Sequence, residues 1–178
     1  MHSEKGVSGQ TAAGVWTDRK AGTTMNIEIR ALREEDIEPL SLIEAESFSM
    51  PWSPKNFREL LTRDYCIYLT ALADGEVAGC CGMTNLCQEG NIDNVVVAER
   101  FRNRGIAHAM LERLIAAGEE AGITAFTLEV RVSNRAAIHL YEKLGFVSEG
   151  IRPRFYEKPT EDASIMWRRA ASNYQRKM

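Results

Sequence analysis

The sequence predicts a single α/β domain: a mixed β-sheet of about six to seven strands with helices on both faces. Two observations carry this. Segments in which apolar and polar residues alternate are interleaved with segments whose apolar residues recur every three or four positions. Their order is strand, two helices, three strands, helix, strand, helix and one or two closing strands, which mixes hairpin-joined strands with βα units. No repeat or internal linker divides residues 25–178, so they read as one domain.

Each element has a local reason. Ile27 and Ile29 alternate with Asn26, Glu28 and Arg30, as in a half-buried strand. Residues 34–48 carry Ile37, Leu40, Leu42 and Ile43 at helical spacing, and Pro39 is tolerable there only in the first turn. Ser53-Pro54 reads as an N-cap with proline at the first helical position, opening a helix that presents Phe57, Leu60 and Leu61. Residues 65–73 are rich in β-formers and meet Asp74-Gly75, a strong hairpin turn. Residues 77–86 return, with Gly79 and Gly82 marking a bulge or a close backbone approach. Residues 91–97 form a further strand ending in Val95-Val96-Val97.

From Gly105 to Ala121, the residues Ile106, Met110, Leu111, Leu114, Ile115 and Ala117 make one helical stripe, and Gly122 is placed to end it. Residues 124–132 put Phe126, Leu128, Val130 and Val132 on one side of a strand. Ser133 or Asn134 caps a helix carrying Ala137, Leu140, Tyr141 and Leu144, and Gly145 stops it. Phe146-Val147 begins a strand, and residues 163–168 form the last one.

Composition narrows the function. The 178 residues carry a net charge of -3, with 44% hydrophobic and 26% charged residues, ordinary for a soluble globular domain. The weakly acidic balance disfavours a nucleic-acid binder, and no apolar run approaches the roughly 20 residues of a membrane span. No apolar leader is visible at the start. Cys66, Cys80, Cys81 and Cys87 cluster in one stretch, and the histidines at 2, 108 and 139 are scattered. That pattern fits neither a disulfide framework nor a metal site, and points to reduced thiols in the cytoplasm. Cys80, Cys81 and Cys87 read as strand packing rather than nucleophiles. Residues 1–24 are rich in Gly, Ser, Thr and Ala without a period, and read as a flexible extension or tag.

The chemistry concentrates where the strand ending at Val97 passes through Arg102-Asn103-Arg104-Gly105-Ile106-Ala107-His108 into the long amphipathic helix. Unpaired N–H groups at a helix start, with the positive end of its dipole, make an anion site. Gly105 and Ala107 let backbone approach a bulky phosphate, and Arg102 and Arg104 can each offer a bidentate fork. An ordinary exposed turn with two solvated arginines is the competing reading.

This junction resembles the acetyl-CoA pyrophosphate loop of the GNAT superfamily, Q/R-x-x-G-x-G/A, with Arg102, Gly105 and Ala107 in the three specified positions. The run Ser133-Asn134-Arg135-Ala136-Ala137-Ile138-His139-Leu140-Tyr141-Glu142-Lys143-Leu144-Gly145-Phe146 resembles a second segment of that family. Pro51-Trp52-Ser53, Leu128-Glu129-Val130-Arg131 and the aromatic loop Arg152-Pro153-Arg154-Phe155-Tyr156 resemble the RimI branch, bacterial enzymes that acetylate the N-terminal alanine of a small-subunit ribosomal protein. Asn103 departs from the arginine that RimI-like loops often carry.

The resemblance implies the GNAT fold, acetyl-CoA as co-substrate, no metal, and a protein or peptide N-terminus as acceptor. It implies Glu129 as general base and Tyr141 as general acid for the departing thiolate. Backbone groups of Val95, Val96 and Val97 would hold the acetyl carbonyl and pantetheine. Arg102, Asn103, Arg104, Gly105, Ile106, Ala107 and His108 would hold the pyrophosphate, and Asn134 would add a contact. Trp52 and Tyr156 could line a peptide groove, or simply pack.

Those roles suit an α-amine. Its pKa is about 7.7–8.0 against about 10.4 for lysine, so deprotonation at pH 7 costs roughly 1 kcal/mol rather than nearly 5. One carboxylate is then a sufficient base. Glu129 sits in an apolar strand, where a charge belongs only at a cleft or on a solvated sheet face. Spacing alone makes Tyr141 equally a core residue with a satisfied hydroxyl. Two other readings stay open: a GNAT enzyme acting on a small amine, with Glu44, Glu46 or Glu89 neutralising it, and a non-catalytic acyl-CoA-binding module.

Overall fold

The computed structural model describes residues 14–18 and 25–169. Their elements run β1 (Gly14–Asp18), β2 (Met25–Ala31), α1 (Ile37–Ser47), α2 (Pro54–Leu60), β3 (Cys66–Ala73), β4 (Glu76–Leu86), β5 (Glu89–Val97), α3 (Ile106–Glu120), β6 (Ala125–Arg131), α4 (Arg135–Lys143), β7 (Val147–Glu157) and β8 (Thr160–Arg169). The strands form one mixed sheet in the order β1-β2-β3-β4-β5-β6-β8-β7. Only the β5–β6 pairing is parallel among these neighbours; α3 makes the crossover.

The local signals act as expected. Ser53 accepts from the Asn56 N–H and Pro54 opens α2, while Pro39 falls in the first turn of α1. Asp74 and Gly75 take φ of 50° and 85° in the β3–β4 hairpin. Asn134, rather than Ser133, caps α4 by accepting from the Ala137 N–H at 3.2 Å. At Gly82 the Tyr68 ring lies where a Cβ would stand, so only glycine fits.

Four features depart from the sequence reading. Residues 14–18, inside the expected extension, pair antiparallel with β2 as an edge strand; residues 1–13, 19–24 and 170–178 lie outside the described residues. Leu42 and Leu61 are 68% and 43% exposed, because Leu40, Ile43, Phe57 and Leu60 already fill the face that meets the sheet. Arg152–Tyr156 is not a loop but the second half of β7, with register breaks against β8. Val132 lies beyond β6, which ends at Arg131.

The sheet separates two cores. One gathers Met110, Leu111 and Leu114 of α3 with Phe126, Leu128 and Val130 of β6, and includes Tyr141. The other gathers Ile37, Leu40 and Ile43 of α1 and Phe57 of α2 with Tyr68, Cys80 and Val96. Each aliphatic, methionine or phenylalanine side chain among these contributes about 1.5–3 kcal/mol through removal from water.

Two irregularities shape the centre. β5 and β6 pair only at Glu89–Asn91 with Ala125–Thr127, and then diverge. β5 is bulged against β4: Gly82 faces Asn94 and Met83 faces Ile92, leaving Asp93 as the extra residue. The bulge inverts the alternation. Ile92 joins the α3 core, whereas Asn94 meets α1 and Val96 packs with α1 and α2.

Candidate active site

The divergence of β5 and β6 opens a cavity of about 1060 Å³, walled by the ends of α1, α3 and α4 and by β7. Its β5 wall follows from strand geometry. Ala98 N–H donates to Ala78 O at 2.8 Å, so alternation turns the peptide groups of Val96 and Asn94 toward β4 as well. Those of Val95 and Val97 face away from β4, where no strand pairs with them. Val97 O confirms the direction by accepting from Arg102 Nε at 2.9 Å. Val95 and Val97 therefore present unused main-chain donors to the slot; Val96 turns its side chain into the α1/α2 core instead.

At the head of the slot, Gly105 takes φ +79° and forms the N-terminus of α3 without any side-chain cap. Asn103 is also left-handed, at φ +60°. The first intrahelical bond onto this end runs from Ala109 N–H to Gly105 O, so the N–H groups of Ile106, Ala107 and His108 have no helical acceptor. Arg102, Asn103, Gly105, Ile106, Ala107 and His108 all line the cavity. Unsatisfied donors, the helix dipole and a tight glycine turn fit a diphosphate.

The two arginines differ from expectation. Arg104 is exposed off the cavity wall, with Nη1 3.9 Å from Met25 Sδ. Arg102 spends part of its fork on Val97 O and on Ser47 Oγ at 3.3 Å. At this helix start the donors that point at the cavity without a protein acceptor belong to the main chain. His108 lines the wall with Nδ1 3.3 Å from Glu112.

Glu129 alternates with the buried Leu128 and Val130, which places its carboxylate on the face opposite α3. Its side chain is 24% exposed, and Arg152 donates to Oε1 at 3.1 Å. Tyr156 donates its hydroxyl to Glu129 O at 3.1 Å while the Arg131 guanidinium covers its ring at 4.2 Å. Arg131 also donates to Pro159 O, Lys158 O and Glu161, which ties the β7–β8 turn to β6. Tyr141 reaches the cavity from the α3 side of the sheet, and burial raises its hydroxyl pKa above that of an ordinary tyrosine. It therefore stays a proton donor through neutral pH.

Trp52 belongs to both settings left open by the sequence. Its ring packs at 5.6 Å from Phe57 and 5.8 Å from Tyr68, and it also borders the cavity. Asn134 lines the cavity although its side chain caps α4. Among the three carboxylates suggested for a polycation, Glu44 lines the cavity and Glu46 and Glu89 do not.

Sequence reasoning offered Glu44 only as a neutraliser of a polycation, and it missed Asn94 and a role for Arg152. Glu44 is 1% exposed; it accepts from Asn94 Nδ2 at 2.9 Å and from Trp52 N–H at 3.2 Å, and burial raises its pKa. The signal for Asn94 was an amide between Ile92 and Val96 in an otherwise apolar pattern. Among the described residues no group of three side chains could hold a metal ion, and no helix is long and apolar enough to cross a membrane.

Comparison with known proteins shows the family. Residues 35–146 match the model of the acetyltransferase (GNAT) family. A ribosomal protein bS18-alanine N-acetyltransferase of Escherichia coli (strain K12) is 34% identical over 142 residues, 78% of this chain and 94% of that protein. Its counterpart from Salmonella typhimurium is 37% identical over 142 residues, with the same coverage. The crystal structure of the ribosomal-protein-S18-alanine N-acetyltransferase from Escherichia coli superposes with a TM-score of 0.75 at 31% identity, covering 83% of this chain and 97% of that one. The chain belongs to the GNAT family of acetyltransferases.

Proposed function

We propose that this enzyme acetylates the α-amine at the N-terminus of a protein, with acetyl-CoA as donor, by direct attack in a ternary complex. The observation that carries the reading is the slot between β5 and β6. It leads from the uncapped α3 N-terminus to Glu129 on one face of the sheet and Tyr141 on the other. Acetyl-CoA, when bound, supplies an activated acetyl thioester. The N–H groups of Ile106, Ala107 and His108 hold its phosphates, and the free main-chain donors of Val95 and Val97 align its pantetheine arm.

Glu129 takes the ammonium proton, directly or through water, and Arg152 holds its carboxylate in place until then. Tyr141 donates a proton to the leaving sulfur. Because the two act from opposite faces, amine and thiol need not share an entrance. The names of the relatives support a ribosomal protein of the small subunit, beginning with alanine, as the acceptor, and a cytoplasmic reaction accords with that acceptor. Trp52 and Tyr156 border the acceptor side.

Incubation of the enzyme and acetyl-CoA with peptides beginning Ala or Ser, with a lysine peptide blocked at its N-terminus, and with polyamines tests the reading by mass spectrometry. Acetylation of the α-amine peptides is the expected result. Exclusive modification of a polyamine would overturn it.

A further inference from the structure

Apart from the groups assigned above, one buried polar pair at the cavity is only partly satisfied within the fold. Asn94 is 7% exposed, and its Oδ1 is a buried side-chain oxygen with no hydrogen-bond partner. Leaving such an acceptor unmet is costly, so a structure that retains one has a reason to do so. Its orientation is determined: Nδ2 donates to the Glu44 carboxylate, which can only accept, so the amide oxygen is the free end. Glu44 in turn takes part in no ion pair found among the described residues. Both residues line the large cavity. An unsatisfied acceptor backed by an unpaired carboxylate calls for a ligand with several N–H donors and a positive charge.

Location identifies which ligand. The bulge at Asp93 turns Asn94 to the α1 face, and Glu129 also lies on the face opposite α3. The phosphate seat belongs to α3, on the other side of the sheet. The pair and Glu129 therefore share the face of the sheet away from the phosphate seat, and both border the cavity.

We infer that Asn94 Oδ1, backed by Glu44, is the seat of the acceptor's α-ammonium group. The ammonium carries three protons. One points to Asn94, one is surrendered to Glu129, and the electron pair released by that transfer is left directed into the slot. Asn94 contacts the substrate; Glu44 is a positioning residue that fixes the amide and supplies the negative field. This rests on the N-terminal amine reading above.

The test compares an Ala-starting peptide with its des-amino analogue, in which propionyl replaces alanyl, as ligands in the presence of coenzyme A. The wild-type enzyme binds the amino peptide at least about tenfold more tightly, the order expected of one charge-assisted hydrogen bond. In Asn94→Leu and in Glu44→Gln that preference collapses toward unity and the KM for the peptide rises by a similar factor, while coenzyme A affinity stays within about twofold. Should Asn94→Leu fail to fold, Glu44→Gln, which keeps an acceptor for Trp52, carries the test. Retention of the full amine preference in a folded variant would overturn the inference while leaving the N-terminal activity standing. Absence of transfer to any peptide by the wild-type enzyme would instead remove the reading beneath it.

Discussion

Replacing Glu129 by glutamine keeps shape and removes the base. The structure makes this a clean substitution. The Glu129–Arg152 pair joins side chains 24% and 56% exposed, and such a pair is worth about 0–1 kcal/mol to folding, so the melting temperature should barely move. The phosphate seat is main chain on α3 and does not touch Glu129, so acetyl-CoA affinity should stay within about twofold. Loss of a general base lowers turnover roughly 10²- to 10⁴-fold. The loss should shrink with pH: an α-amine of pKa about 7.8 is roughly one part in seven deprotonated at pH 7 and almost wholly so at pH 9, recovering about sevenfold. Stopped assays on an Ala-starting peptide from pH 7 to 9, beside calorimetry with acetyl-CoA, measure both. Unchanged turnover, or a deficit flat across that range, would refute Glu129 as the base.

Two further outcomes follow from other residues. Tyr141→Phe keeps the packing against Phe146 at 5.9 Å but removes the proton donor, so turnover should fall at least about tenfold with little change in peptide KM, read from steady-state kinetics. Arg30 donates twice to buried Asp36, at 2.7 and 2.8 Å, so Arg30→Ala strands a buried carboxylate and should cost about 3–5 kcal/mol in urea unfolding. Burial alone would raise the Asp36 pKa, but donors from Arg30, the Arg33 N–H and Thr70 outweigh it and hold the carboxyl below its ordinary value. With the folded pKa below the unfolded one, this stabilisation is complete above about pH 4 and is lost as pH falls through the folded value. Melting temperatures of the wild type and Arg30→Ala should therefore converge under acid.

What the sequence made legible was local. The stripe of α3, the Ser53 and Asn134 caps, the Asp74-Gly75 turn and the strand-to-helix junction at Gly105 each depend on neighbours a few residues away. The backbone half of the site came with them, because free N–H groups and a left-handed glycine are consequences of a helix starting where it does. The acceptor half depended on distant pairings. Gly82 marked a bulge or a close approach, yet nothing in the sequence says that the extra residue is Asp93 of the facing strand, and that residue decides which face Asn94 occupies. Glu44 is four residues from Leu40 on α1 and cannot be told from Glu46 until Asn94, fifty residues on, is placed against it. Arg102 and Arg104 show how little spacing says about a long side chain: in the fold one reaches back to Val97 O and the other toward Met25. The Arg152–Tyr156 run looked like a loop because its partner, β8, follows it in sequence and pairs with breaks in register.

The claim beneath all of this is that main-chain amides at the start of α3 hold the phosphates of the donor. Amide resonances of the ¹⁵N-labelled enzyme, followed during a titration with coenzyme A, address it directly. Gly105, Ile106, Ala107 and His108 should show the largest shifts and become protected from exchange, with Val95 and Val97 next. Tight binding of coenzyme A that leaves those four amides unmoved would contradict the account.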